Sequence, residues 1–188
     1  MDKQLTLILR GVLLGSLMVT AVFAGAKVPN EVCKEGVCSL HLKNMYLSYQ
    51  LQADKNIKFT LSAKTTGWVA VGFGVNNTMV DAMMVLGYVD ADGKVQLSQE
   101  YGVKGRPPHK SVISLGGTPE VKLISGKVEK GQTTISFTLP MTPSSAKYNY
   151  TFTQGEDIPI ILAYGKNGAK NFTSYHQYRT SAEIKLPK

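Results

Sequence analysis

The chain has 188 residues, of which 43% are hydrophobic and 18% charged, with a formal net charge of +8. Those proportions are ordinary for one globular domain with a real core. The positive excess is spread along the chain without a basic run, which argues against a nucleic-acid-binding arm and leaves two uses for it: a solvated basic surface, or a docking face for an acidic partner or an anionic membrane.

The first element is a targeting segment. Lys3 and Arg10 lead into an uncharged run over residues 11–23, and Ala24-Gly25-Ala26 supplies the small side chains that a signal peptidase accepts. The run is shorter than the ~20 residues that span a bilayer. Residues 1–26 are expected to be a secretory signal peptide cut after Ala24 or Ala26, with an uncleaved anchor as the alternative. No second apolar run follows, so the mature chain is expected to be exported to the periplasm or the extracellular space without stable membrane insertion.

Residues 27–44 form an N-terminal segment with both cysteines. Cys33 and Cys38 enclose four residues, and in an oxidising compartment they are expected to close a small disulfide loop. A redox-active pair usually has two intervening residues. A C-x-x-C-H heme attachment is excluded, because Ser39 follows Cys38.

Short strands follow, over residues 46–52 and 57–63, where Ile57, Phe59 and Leu61 alternate with Lys58, Thr60 and Ser62. Residues 67–74 and 82–89 read as two apolar strands. Asp92-Gly93 turns the second back into a further strand from Lys94. Residues 101–111 form a loop, because Pro107-Pro108 has no place in a central strand. Further short strands are expected at 112–115, 121–125, 135–139, 158–164 and 182–186, and one helical turn at 142–147. About nine to ten short strands, joined by Gly, Pro and Asn turns and without a helical period, predict an all-β fold: an antiparallel, immunoglobulin-like β-sandwich over residues 45–188.

Gly67-Trp68-Val69-Ala70-Val71-Gly72-Phe73-Gly74, then Met79, Ala82, an apolar strand and Asp90-Ala91-Asp92-Gly93, resembles a DOMON domain. Near the other end, residues 160–165 followed by Tyr175-His176 and Arg179 resemble the family's late strand and its heme-ligating histidine. The family includes the heme b cytochrome domain of cellobiose dehydrogenase. The resemblance implies non-covalent heme b, with Met79 and His176 as axial ligands to iron. It implies that Trp68, Phe73, Met84 and Tyr164 pack against the porphyrin where they point inward, and that Arg179 meets a propionate. Met83 is the alternative to Met79, standing where many family members carry Asp.

A thioether and an imidazole would fill both axial positions, leaving none open for oxygen or substrate. The expected role is therefore a single-electron carrier served by a redox partner protein, not an enzyme. No Ser/His/Asp set, paired acids or phosphate-binding glycine loop argues otherwise, and the histidines lack zinc spacing. Two other readings stay open. One is a carbohydrate-binding DOMON-like module without heme, using exposed aromatics such as Tyr46, Tyr49, Tyr148 and Tyr150 on a sugar. The other is a heme subunit of a larger periplasmic oxidoreductase.

Overall fold

The computed structural model describes residues 31–75 and 78–188. The expected signal peptide lies outside these residues. Alternation of apolar and polar side chains puts one face of a strand in the core and the other in water. In β4 (Asn56–Ala63) that pattern buries Ile57, Phe59 and Leu61. Its neighbours are β3 (Met45–Leu51) and β10 (Gln132–Pro140), both antiparallel to it.

Outside β3 lie β2 (Val37–Leu42) and β1 (Glu31–Lys34), and outside β10 lies β9 (Lys122–Glu129). The second sheet runs in the order β12 (His176–Lys185), β11 (Asp157–Gly165), β5 (Val69–Phe73), β6 (Met83–Val89), β7 (Val95–Gly102) and β8 (His109–Ser111). Two six-stranded antiparallel sheets thus enclose one core, as in a β-sandwich. Phe59 sits within it, its ring 5.1 Å from Phe73, 5.5 Å from Phe137 and 5.9 Å from Phe152.

Among the described residues, twelve strands replace the nine to ten expected. Part of the difference lies in the N-terminal segment, which is integral to the first sheet. Cys33 faces Cys38 across the β1–β2 hairpin and is disulfide-bonded to it, while Cys38 and Leu40 enter the core. The hairpin turns at Glu35-Gly36, both with positive φ, as a tight two-residue turn requires. Residues 112–115 do not form a strand but hold a 3-10 turn, Ile113–Leu115, ended by Gly116 at φ 74°. Residues 142–147 are not helical. The Glu120 carboxylate instead accepts the backbone N–H groups of Ser144 and Ser145 and the Ser144 hydroxyl, offering those donors a partner outside a helix. Among the described residues, no helix is long and apolar enough to cross a membrane.

Candidate functional site

The second sheet is apolar on both faces. Along β5, Val69, Val71 and Phe73 join the core between the sheets, while Ala70 and Gly72 face outward. In β6, Met83 and Val85 point in, and Met84 and Leu86 point out. β11 adds Ile161 and Ala163 to the same outer face. Trp68, Ala70, Met84 and Leu86 are buried there in a second apolar cluster. Gly72 permits that cluster to close, since a Cβ at this position would meet Met84 and Ile161 side-chain carbons at 2.9 Å.

Over this floor lies a cavity of about 720 Å³, within the roughly 300–1,000 Å³ range of small-molecule and cofactor sites. Three segments build its walls. The first carries Met79. Asp81 N–H donates to the Gly102 carbonyl at 3.0 Å, and Gly102 N–H to the Ala82 carbonyl at 2.9 Å, which tie the segment to β7. The Met79 carbonyl occupies the space that a Cβ of Gly102 would take, so only glycine lets this segment sit on the sheet.

The second wall is the turn from Gly105 to Ser111, which brings Arg106, His109 and Lys110 to the cavity. The third runs from Phe172 to His176. Asn171 Oδ1 shapes it by accepting the backbone N–H groups of Thr173 and Ser174 at 3.0 and 2.7 Å. Phe172 packs on Tyr88 with ring centroids 5.0 Å apart, and Trp68 Nε1–H donates to Ser174 Oγ at 2.8 Å.

Of the residues singled out from sequence, Trp68, Met79, Met84, His176 and Arg179 line this one cavity. His176 gets there through an irregularity. Tyr178 pairs with Tyr164 and packs against the core, and simple alternation would aim His176 inward too. A bulge between Tyr164 and Gly165 skips Gln177, pairs His176 with Gly165, and places it on the outer face with Arg179. Burial first, then the charge of Arg179, hold the His176 imidazole below its ordinary pKa, favouring the neutral form that can donate a lone pair.

Phe73 and Tyr164 are elsewhere. Both belong to the core between the sheets, Phe73 against Phe59 and Phe152 and Tyr164 against Tyr178. They take no part in the cavity, because strand parity turns them to the opposite face. Met83 shares their fate at 2% exposure, so of the two methionines weighed as ligands only Met79 reaches the cavity. The tyrosines considered for sugar stacking form no common platform. Tyr49 is in the core, Tyr150 packs on Phe73 and Phe152, Tyr148 on Tyr101 and Tyr46 on His41.

The sequence, in which residues 101–111 read as a loop, singles out neither His109 nor Glu100. The short strand β8 pairs with β7 and sets His109 Nδ1 against the Glu100 carboxylate. Glu100 is 6% exposed, lines the cavity, and also accepts the Ser98 hydroxyl at 3.1 Å. No spacing in the sequence announces this pair, since the proline-rich turn between its members conceals the strand.

The family model of the DOMON domain matches residues 41–165, well over half of the chain. The chain belongs to the DOMON family. The match takes in the cavity floor, the Met79 wall and the His109 wall, and ends before the wall that carries His176. The DOMON fold here is similar to that of the crystal structure of the cytochrome b domain of pyranose dehydrogenase from Coprinopsis cinerea, with a TM-score of 0.58, 13% identity, and coverage of 78% of this chain and 80% of that one. Among curated proteins none matches the sequence.

Proposed function

We propose that this DOMON domain is an exported b-type cytochrome-like domain that binds heme b non-covalently and passes single electrons to a partner protein. One observation carries the reading: a thioether, Met79, and a neutral imidazole, His176, line the same cavity above a floor kept low by Ala70, Gly72 and Ala163. Small residues leave a flat ring room to stand, and the donor set is one that iron in a porphyrin accepts.

The two donors approach from different sides. Met79 sits over β7, whereas His176 rises from the β11–β12 edge, with β5 and β6 between them in the sheet. Trp68, Met84, Leu86 and Phe172 supply apolar surface that would exclude water from a bound ring. Arg179, opposite Ala163 and on the cavity wall, is placed to meet an anionic edge. Bound heme would supply one-electron chemistry, and Met79 and His176 are the residues that would hold its iron, a donor pair that would favour electron transfer over catalysis. The cations Arg106, Lys110 and Arg179 around the cavity support docking of an acidic redox partner.

The test is a visible spectrum of the purified protein after hemin addition, oxidised and then reduced with dithionite. The expected result is a low-spin spectrum with a sharp reduced α-band, lost on His176→Ala. A wild-type protein that takes up no hemin would sink the reading and return attention to sugars.

A further inference from the structure

Granted heme in this cavity, we propose that His109, oriented by Glu100, is a second nitrogen donor, on the wall next to that of Met79, and competes with Met79 for the iron position opposite His176. The proposal rests on the Glu100–His109 pair, for which the reading so far has no use.

A buried carboxylate in an apolar wall needs a partner, and Glu100 has two: the hydroxyl of Ser98 and Nδ1 of His109. An imidazole that donates from Nδ1 to a carboxylate carries its free lone pair on Nε2. Metal-ligating histidines are commonly held in this way, the second carboxylate contact fixing tautomer and ring direction and making the free nitrogen more basic. His176 shows no such carboxylate contact among the described residues; the charge that acts on it is that of Arg179. By this criterion, His109 is the better prepared histidine of the two.

Its position relative to Met79 decides what it can compete for. His109 is the cross-strand partner of Gly102, and the Met79 carbonyl rests on the outer face of the same glycine. Directly opposed residues of an antiparallel pair share a face. The walls that carry Met79 and His109 therefore adjoin at Gly102, and both residues line the cavity, while His176 stands across the floor on β12. Met79 and His109 on one side and His176 on the other would offer a bound iron two donor pairs, Met/His and His/His. The softer thioether suits ferrous iron, and the imidazole with its anionic partner suits ferric iron.

The experiment compares hemin-loaded wild type, Met79→Leu, Met79→Leu/His109→Gln and Met79→Leu/Glu100→Gln by visible and electron paramagnetic resonance spectroscopy of the ferric state. Far-UV circular dichroism checks the fold. His109→Gln retains a hydrogen-bonding group beside Glu100 but removes the nitrogen donor. The expected result is that Met79→Leu stays largely low-spin with a bis-imidazole signature, that adding His109→Gln converts it to high-spin, and that adding Glu100→Gln lowers the low-spin fraction. A folded Met79→Leu protein that is already high-spin overturns the proposal and leaves the heme reading standing. A Met79→Leu/His109→Gln protein that remains low-spin overturns it as well, because another donor must then be present. Absence of hemin uptake by the wild type removes both readings together.

Discussion

Trp68 donates its indole N–H to the Ser174 hydroxyl at 2.8 Å, joining the entry to β5 to a wall of the cavity 106 positions later. The ring itself belongs to the apolar floor. One residue therefore both lines the site and fixes its wall. Trp68→Phe keeps most of the apolar body and removes the donor. Loss of one such bond is expected to lower stability by about 1 kcal/mol. Hemin affinity should fall as well, because the segment with Phe172 and His176 is no longer pinned. Urea unfolding and a hemin titration on the same variant check the two parts separately.

The place for that indole is made by Gly165, where an added Cβ would fall inside contact distance of three indole atoms. Gly165 also donates its N–H to the Trp68 carbonyl at 2.9 Å, so the two backbones cannot part freely. Gly165→Ala overpacks this contact and is expected to destabilise the fold by about 1–3 kcal/mol. An unfolding midpoint equal to that of the wild type would show that the indole can shift aside.

The two faces of the second sheet should separate experimentally. Phe59→Ala opens the centre of the aromatic core and is expected to lower stability by about 3–5 kcal/mol. Hemin uptake by the remaining folded protein should persist, because the residue lies in the core and not in the cavity lining. Ala163→Trp should do the reverse: a thermal midpoint near that of the wild type, but no hemin uptake, because the indole fills the floor. Calorimetry paired with hemin titration distinguishes the two patterns.

Acid should weaken the ligand-free protein partly through His176. Burial and the Arg179 charge hold this imidazole below its ordinary value of 6.5. The unfolded chain then binds the proton more readily than the folded one. The stability contribution of neutral His176 is whole above about 6.5, begins to be lost as pH falls below that value, and is gone below the folded value. The expected outcome is a thermal midpoint that declines on acidification through this window, with a shallower decline in His176→Gln. An NMR titration placing the His176 midpoint at or above 6.5 would contradict the assignment.

Much of the fold was legible because period-two alternation survives in strands with one polar neighbour set, as in Ile57, Phe59 and Leu61. The motif around Gly72, Met79 and Ala82 likewise points to Trp68, Met79 and Met84, and the late strand followed by Tyr175-His176 points to His176 and Arg179; the fold gathers all five at one cavity. The run Val69-Ala70-Val71-Gly72-Phe73 was harder to orient. It is apolar throughout, because the core covers one side and the cavity walls the other, so no polar residue marks its parity. For that reason the resemblance assigns Phe73 and Tyr164 to the porphyrin, although both lie in the core.

The class of fold, the family and the types of donor side chain on offer can be read from the amino-acid order alone, since these depend on local pattern and on residues close together in the chain. The face that each donor occupies depends instead on how the strands pair. A bulge between Tyr164 and Gly165 turns His176 outward, pairing of β7 with β8 brings His109 to Glu100, and Gly102 leaves the space in which Met79 rests. Each is a matter of register between strands, and register is set by contacts between distant segments rather than by the residues of either strand alone.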